Sequence, residues 1–124
     1  MTDNTQRITP AEYRGAATEH EIQQGLFDWA DAVGVLMYAI PNGQYRKGGR
    51  PEPGLRRGIP DVNVPYPRGG YGSLYLELKT AIGRVRKEQA AWHKALQEAG
   101  NCVYVVRSLD AAIMAVEHYL EMPR

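Results

Sequence analysis

The stretch LYLELK, residues 74–79, alternates leucines with Tyr75, Glu77 and Lys79. Successive side chains of a β-strand point to opposite faces, so this pattern predicts one apolar face and one face carrying Glu77 and Lys79. Residues 61–64, directly after Pro60, give a second strand signal, and a turn rich in proline and glycine joins the two. We therefore expect an antiparallel pair in which Asp61 lies beside Glu77.

Upstream of this pair, the sequence predicts a helix and a strand. The helix begins at the N-cap Thr18, with Glu21 as its capping-box partner, and stops at Gly34. The apolar residues 35–40 predict a buried strand that ends at the turn of residues 41–43. The side chains of the helix expected to be buried recur at helical spacing: Ile22, Leu26, Trp29 and Val33.

Downstream, a second helix is predicted over residues 86–99, then a strand over 102–106 and a last helix over 109–120. Gly100 ends the second helix, and Ser108 or Asp110 caps the last one. The order helix, strand, strand, strand, helix, strand, helix favours a mixed α/β layer fold. The side chains expected to point inward are Trp92, Leu96 and Ala99 in the second helix, and Ile113, Val116 and Leu120 in the last.

Length and composition predict one compact domain. The chain has 124 residues, 44% of them hydrophobic, so we expect a polar arm over residues 1–17 and a single domain over 18–124. The single Cys102 has no intramolecular disulfide partner and lies in an apolar run, which favours a buried, inert thiol. The sequence contains no apolar stretch of about 20 residues and no signal core, which favours a soluble cytoplasmic protein without a membrane segment.

Positive charge is concentrated in one part of the chain. Residues 46–87 hold 10 of the 15 lysines and arginines but only three of the 14 acidic residues, so this part carries +7 and the remainder −6. The segregation indicates a surface that faces a polyanion, with a solvated basic loop as the alternative. The residues expected to contact phosphates are Arg46, Lys47, Arg50, Arg56, Arg57, Arg84 and Lys87.

The residue types around Glu77 suit phosphodiester hydrolysis. Two carboxylates held together in a partly buried site repel each other unless a cation lies between them. Mg²⁺ or Mn²⁺ suits the oxygen donors of Asp61 and Glu77, and the carbonyl of Leu78 could add a ligand. Lys79 would orient a water molecule or stabilise negative charge on the phosphate. The alternative is that Glu77 and Lys79 are ordinary solvated partners on an exposed strand face.

Several short motifs together resemble the VRR-NUC family, a branch of the PD-(D/E)XK nucleases. The resemblance covers about residues 18–120. It rests on Gly58-Ile59-Pro60-Asp61, Leu76-Glu77-Leu78-Lys79, Gly83-Arg84, Gln89, Ala99-Gly100 and Val105-Val106-Arg107-Ser108, with Glu19, Gln23 and residues 41–43 upstream.

The resemblance implies a restriction-endonuclease-like fold, a divalent metal held by the acidic residues, and activity on DNA. Small stand-alone members of the family resemble homodimeric resolvases of four-way junctions. One departure lies before the second helix, where the family usually has a serine N-cap and this chain has Arg86-Lys87. The loss would cost about 1 kcal/mol of helix stability and adds positive charge.

Two further residues are candidates for the site. Glu19 lies near the edge of the buried stripe of the first helix, so we favour it as the additional metal-site acid over Glu21, which has a capping role. Gln89 lies three residues before Trp92, and its amide could bond the catalytic lysine, a water or a phosphate. The alternative for Gln89 is a partly exposed residue of the first helical turn.

Other polar and aromatic residues are weaker candidates. Asn42 could simply supply the left-handed position of a turn. Three loop tyrosines could stack on unpaired bases or only pack: Tyr45, Tyr66 and Tyr71. No catalytic role is expected for His20, His93 or His118, which are spread over three predicted helices. No phosphate-binding loop, zinc motif or nucleophile elbow is present, so no nucleotide cofactor is expected.

Taken together, these features favour a metal-dependent endonuclease that recognises the shape of branched DNA, acting as a homodimer. A domain of this size leaves little surface for reading base sequence. Two alternatives remain open at this point. The first is the same chemistry on nicked, flapped or single-stranded DNA, and the second is a DNA-binding module without turnover.

Overall fold

The chain is described by a computed structural model that covers residues 17–41 and 53–124. The mixed α/β fold expected from the sequence is confirmed, and the elements follow the predicted order. Apart from residue 17, the predicted N-terminal arm lies outside the described residues. The elements are α1 Glu19–Val33, β1 Tyr38–Ala39, β2 Val62–Val64, β3 Leu74–Leu78, α2 Lys87–Glu98, β4 Cys102–Val106 and α3 Leu109–Glu121.

The four strands form one mixed sheet in the order β1-β2-β3-β4. β1 is antiparallel to β2, and β2 is antiparallel to β3 with Val62 opposite Leu76. β3 and β4 are parallel, with Leu76 opposite Tyr104. Two parallel neighbours need a crossover connection, which α2 supplies. The strands that carry or adjoin the predicted acidic residues, β2 and β3, therefore both lie in the interior of the sheet.

The hydrophobic core lies between one face of the sheet and helices α1 and α3. The three leucines of β3 point to this side and are fully buried, as their alternation in the sequence predicted. Removing the side chain of such a residue, for example Leu76→Ala, typically costs about 2–5 kcal/mol. The core side of β3 thus fixes the strand whose opposite face carries Glu77. The helices pack onto it through Ile22, Leu26, Val116 and Tyr119.

The N-terminal ends of α1 and α3 are defined by residues predicted to cap them. The Oγ1 of Thr18 accepts a hydrogen bond from the amide of Glu21 at 3.1 Å, and the Glu21 carboxylate accepts one from the Thr18 amide at 3.0 Å. The Oγ of Ser108 accepts from the amide of Ala111 at 3.0 Å, which settles Ser108 as the cap of α3. Each such cap stabilises its helix by about 1 kcal/mol.

The prediction of a buried strand over residues 35–40 is wrong in extent and in burial. Only Tyr38–Ala39 pair with β2, and both residues are exposed. Leu36 is 63% exposed, whereas Met37 is buried in the core. The physical reason is that β1 is the edge strand of the described sheet, so among the described strands it has one neighbour instead of two.

The buried faces of α1 and α3 differ in part from the predicted ones. In α1, Ala30 follows Ile22 and Leu26 inward, while Trp29 is half-buried and Val33 is 55% exposed. Residues four apart lie on one helical face, so Ala30 continues the buried face of Ile22 and Leu26. The sequence pattern had assigned this inward position to the larger side chains of Trp29 and Val33. In α3, Val116 is buried as expected, and its buried companions are Ala112 and Tyr119, with Ile113 and Leu120 half-buried.

Within residues 17–41 and 53–124, the helices are too short or too polar to cross a membrane.

Candidate active site

The face of β3 opposite the core carries Glu77, and the next residue on that face is Lys79. Glu77 is 1% exposed and Lys79 is 5% exposed, so neither is a solvated surface residue. Lys79 follows the last residue of β3, but its amide still donates to the carbonyl oxygen of Val106 at 3.0 Å. The backbone that carries both side chains is therefore fixed by the parallel neighbour β4.

Asp61 lies opposite Glu77 across the β2–β3 ladder. The register pairs Val62 with Leu76, and the Asp61 amide donates to the Leu76 carbonyl at 3.0 Å. The Oδ2 of Asp61 accepts a hydrogen bond of 2.7 Å from the amide of Leu78. The two carboxyl groups lie close enough for each to affect the pKa of the other. The antiparallel pair thus brings together the two acids that the sequence analysis placed side by side.

Burial makes both acids of this pair costly to ionise, and the charge of Glu77 adds to the cost for Asp61. Burial, together with the charge of Glu77, raises the pKa of Asp61 to about 7, although the hydrogen bond from Leu78 opposes the shift. Burial likewise raises the pKa of Glu77 to about 7, and contact with Asp61 and the charge of Lys79 act in the opposite direction. A bound cation would stabilise the ionised forms of both groups.

The two acids at the start of α1 differ in their surroundings. Glu21 is engaged in the capping box with Thr18. Glu19 is exposed at the first position of α1, but partial burial of its carboxyl group raises its pKa. The charges of Lys79 and Asp61 also act on Glu19. Of the two acids, Glu19 is therefore the one that interacts electrostatically with the Asp61–Glu77 pair.

Helix α2 turns a polar face toward Glu77, which corrects the predicted orientation of this helix. Its buried residues are Gln89 and His93, whereas Trp92 and Leu96 are half-buried and Ala99 is exposed. The Nε2 of Gln89 donates to Oε2 of Glu77 at 3.2 Å, and the Nε2 of His93 lies 3.1 Å from Oε1 of Glu77. The alternative of an exposed Gln89 is thus wrong.

The contact of His93 with Glu77 is the part of the site that the sequence analysis missed. Burial lowers the pKa of His93, and the charge of Lys79 adds to the effect. A signal was present, since His93 follows Gln89 by four residues and so shares its helical face. The sequence analysis instead assigned the apolar residues of this helix to its inner face, because helices usually bury their apolar side chains.

Comparison with solved structures relates this architecture to known proteins. One structure named "VRR_NUC domain protein" has a TM-score of 0.64 and 22% sequence identity, over 86% of this chain and 90% of that chain. Another, named "VRR_NUC domain", has a TM-score of 0.57 and 26% identity, over 83% of this chain and 99% of that chain. The fold is that of a VRR-NUC domain. No protein-family model and no curated protein matches the sequence.

The VRR-NUC likeness confirms the restriction-endonuclease-like fold and supports a nuclease-type domain. In this VRR-NUC fold the Gly58-to-Asp61 segment lies against the start of α2. Gly58 has a φ of 86°, and a Cβ added there would come within 2.9 Å of the Glu88 carbonyl group. Only glycine fits this position, so the segment that leads to Asp61 packs directly on the backbone of α2.

The acidic donors of this site suit a hard divalent cation. Among residues 17–41 and 53–124, no three or more His, Cys, Asp or Glu side chains converge as ligands around one point. The close donor set is the pair Asp61 and Glu77, with Glu19 coupled to it through charge. Mg²⁺ commonly binds proteins through one or two carboxylates and keeps several waters. The pair of half-buried Asp61 and buried Glu77 therefore fits Mg²⁺ or Mn²⁺.

The predicted DNA-binding residues are only partly within the described residues. Three of these basic residues lie outside the described part of the chain: Arg46, Lys47 and Arg50. The weaker candidates Asn42 and Tyr45 also lie outside it. The described members are all exposed: Arg56, Arg57, Arg84 and Lys87. The turn before Arg84 is held by Arg107, which donates to the carbonyl oxygen of Thr80 at 2.8 Å and to that of Gly83.

The two described loop tyrosines take part in packing. The hydroxyl of Tyr66 accepts a hydrogen bond of 2.9 Å from the amide of Leu36. The ring of Tyr71 lies 6.3 Å from the ring of Tyr119, centroid to centroid. These contacts favour the packing alternative over base stacking for Tyr66 and Tyr71.

Proposed function

We propose that this chain is a Mg²⁺- or Mn²⁺-dependent endodeoxyribonuclease that hydrolyses phosphodiester bonds. The observation that carries the proposal is the half-buried carboxyl group of Asp61 beside the buried Glu77, with Lys79 buried on the same side of the sheet. The VRR-NUC fold supports a nuclease-type domain independently of this contact. Two ionised carboxylates held this close repel each other, and a cation bound between them in the active protein would offset this repulsion.

In this proposal Asp61 and Glu77 hold the metal ion, with the Leu78 carbonyl as an additional ligand. Glu19 does not converge with these acids in the structure, and it would reach the ion by rotation of its exposed side chain. When bound, the ion would polarise the scissile phosphate and lower the pKa of a nearby water molecule. The hydrogen bond from the Leu78 amide holds Asp61 in place at 2.7 Å. Gln89 holds Glu77 from the opposite side, through the 3.2 Å bond to Oε2.

Lys79 supplies the positive charge of the site. Its side chain shares the sheet face of Glu77, and its charge acts on Glu19, Asp61 and Glu77. Because Lys79 is 5% exposed, solvent screens its charge far less than that of a surface lysine. Its ammonium group would stabilise the negative charge that builds on the phosphate, or orient the attacking water.

The substrate we propose is branched DNA, with a four-way junction as the representative structure. The exposed side chains of Arg56, Arg57, Arg84 and Lys87 supply phosphate contacts, which position a protein on DNA without reading its sequence. Cleaving two strands of a junction requires two active sites, so the proposed active form is a homodimer.

A cleavage assay tests the proposal. Purified protein is incubated with a labelled four-way junction and with its matched linear duplex, in Mg²⁺, Mn²⁺ or EDTA. Glu77→Ala is compared with Glu117→Ala, which removes an exposed acid from α3. We expect paired, symmetric cuts in the junction that need both the metal and Glu77.

Other results of the assay separate the alternatives. Cleavage in EDTA, or by Glu77→Ala, would overturn the proposed metal site. Cleavage of flapped, nicked or single-stranded DNA in place of the junction would support the same chemistry on another substrate. Metal-dependent binding of junctions without cleavage of any substrate would identify a binding module.

The proposed homodimer is tested by sedimentation in the presence of the junction. We expect the mass contributed by protein to be twice the 13.9 kDa of one chain. A single chain per cleaved junction would contradict the homodimer and would predict cuts in one strand at a time.

A further inference from the structure

His93 and Gln89 form a polar pair on the buried face of α2. They are four residues apart, so one helical turn places both side chains on the same side. His93 is 3% exposed and Gln89 is 6% exposed, whereas the apolar Trp92 of the same helix is only half-buried. A helix normally turns its apolar stripe inward. The reversed arrangement in α2 indicates that this face is matched to a polar partner.

That partner is the carboxyl group of Glu77. Its Oε1 lies 3.1 Å from Nε2 of His93, and its Oε2 accepts a 3.2 Å hydrogen bond from Nε2 of Gln89. Each oxygen of Glu77 is therefore bound by a different residue of α2. The carboxyl group cannot rotate about its terminal bond without breaking one of the two contacts.

The helix is itself anchored at this point. The Oε1 of Gln89 accepts a 2.8 Å hydrogen bond from the amide of Arg86, the residue that precedes α2. The side chain of Gln89 is thus bound at both ends, by the start of its own helix and by Glu77. Gly58, which packs on the carbonyl group of Glu88, holds the same turn against the segment that leads to Asp61.

We propose that His93 is a positioning residue: together with Gln89 it fixes the carboxyl group of Glu77 in the orientation from which Glu77 binds the divalent cation. This inference rests on the proposed function. Partners that hydrogen-bond a metal-ligating carboxylate orient it and tune its affinity for the ion. His93 itself binds neither metal nor DNA in this proposal.

The proposal fixes the tautomer of His93. An ionised Glu77 can only accept hydrogen bonds, so the nitrogen that faces it must carry the proton. A neutral imidazole then has its hydrogen on Nε2 and leaves Nδ1 without one. The two tautomers differ in their nitrogen chemical shifts, so the prediction is accessible in the wild-type protein.

Manganese binding in the absence of DNA provides the first test. Free Mn²⁺ is titrated by electron paramagnetic resonance with wild-type protein, His93→Leu and His93→Gln. The leucine variant keeps an apolar side chain in the space but donates no hydrogen bond to Oε1. We expect His93→Leu to weaken Mn²⁺ binding by about 10- to 100-fold. His93→Gln, which keeps an N–H donor, should restore most of the affinity. His118→Leu, at an exposed histidine of α3, should bind as the wild type does.

The outcomes separate this proposal from the proposed function. If Glu77→Gln loses Mn²⁺ binding while His93→Leu binds normally, the positioning role is overturned and the metal site stands. If the wild-type protein neither binds Mn²⁺ nor cleaves DNA, the proposed function is overturned and this inference with it. A loss of affinity in both His93 variants would show that the donor contact is not what matters.

A second measurement does not depend on the folding of a variant. Long-range proton–nitrogen NMR spectra of the wild-type protein with Mg²⁺ report the tautomer of His93 directly. We expect the Nε2–H form, with the ring in a single orientation. The Nδ1–H form, or a ring that samples both, would overturn the proposal even if every variant at position 93 were unfolded.

Discussion

Asp61 accepts, through Oδ2, a 2.7 Å hydrogen bond from the backbone amide of Leu78, the residue between Glu77 and Lys79. The Asp61 side chain is thereby bound to the backbone between Glu77, in β3, and Lys79, which follows β3. The position of Asp61 therefore depends on β3 as much as on β2.

This bond allows the charge of Asp61 to be separated from its structural contact. Asp61→Asn keeps an oxygen that can accept from Leu78 but carries no charge, whereas Asp61→Ala loses both. We expect both variants to lose metal-dependent cleavage by at least about 100-fold, since a bound metal contributes several kcal/mol to such reactions. Asp61→Ala alone should also lose about 1.5–3 kcal/mol of unfolding free energy, because the hydrogen bond is gone. Initial cleavage rates and urea denaturation measure the two effects. An asparagine variant that cleaves within a few-fold of the wild type would remove Asp61 from the proposed site.

Without metal, the acidic pair should make stability depend on pH. The pKa values of Asp61 and Glu77 are about 7 in the folded protein, against ordinary values of 3.8 and 4.5. A group whose pKa is raised by folding contributes stability that is present below its unfolded pKa and is lost as the pH rises through the folded pKa. In EDTA, the free energy of unfolding should therefore fall between about pH 5 and about pH 8.

Urea denaturation at several pH values, with EDTA or with MnCl₂, measures this dependence. We expect Mn²⁺ to remove most of the decline, because it stabilises the ionised acids. Asp61→Asn should show a smaller decline in EDTA than the wild type. A stability that rises with pH in EDTA would contradict the assignment of the two raised pKa values.

Gly58 should tolerate no side chain, for two reasons that can be separated. Gly58 and Gly54 have similar positive φ angles of 86° and 91°, but only at Gly58 would a Cβ meet backbone atoms, at 2.9 Å. We expect Gly54→Ala to cost about 1–2 kcal/mol for the left-handed conformation alone. Gly58→Ala should cost about 1–3 kcal/mol more, because it forces α2 away from the segment before Asp61. Urea denaturation of both variants measures the difference, and equal costs would contradict the close packing.

The exposed arginines before Gly58 should contribute to DNA binding. We expect the double variant Arg56→Gln/Arg57→Gln to bind the junction more weakly than the wild type. If each arginine contacts one phosphate, the magnitude of the slope of log K against log salt concentration should fall by roughly 2. A control of equal charge change is Lys94→Gln with Arg124→Gln, at exposed residues outside the basic segment. Fluorescence anisotropy over a range of salt concentrations measures both. Equal effects of the two double variants would indicate general charge attraction in place of contacts at Arg56 and Arg57.

Local patterns were sufficient to predict the acidic pair. The alternation in β3 assigned Glu77 and Lys79 to one face, and the short connection from residues 61–64 predicted the antiparallel partner. Both the strand pairing and the proximity of Asp61 to Glu77 are confirmed. This succeeded because a register in an antiparallel pair is decided by residues that are close in sequence.

The polar face of α2 could not be predicted in the same way. The sequence pattern favoured Trp92, Leu96 and Ala99 as the inward residues, although the helix covers Glu77 with Gln89 and His93. Which face of a helix turns inward depends on what lies beneath it, and here that is a buried carboxyl group. The exposure of residues around β1 has a similar origin, since the position of a strand at the edge of a sheet is a property of the assembled fold.

The order of the strands has a consequence for how the domain loosens. β2 and β3 are each paired on both sides, whereas β1 and β4 form the edges of the sheet within residues 17–41 and 53–124. Amide hydrogens of edge strands exchange with solvent through local opening, but those of interior strands exchange only when much larger units open. The backbone at Val62–Val64 and Leu74–Leu78 should therefore be among the slowest-exchanging parts of the described chain. Fraying of β1 would then leave the Asp61–Glu77 pair intact, and loss of this pair would accompany opening of the sheet itself.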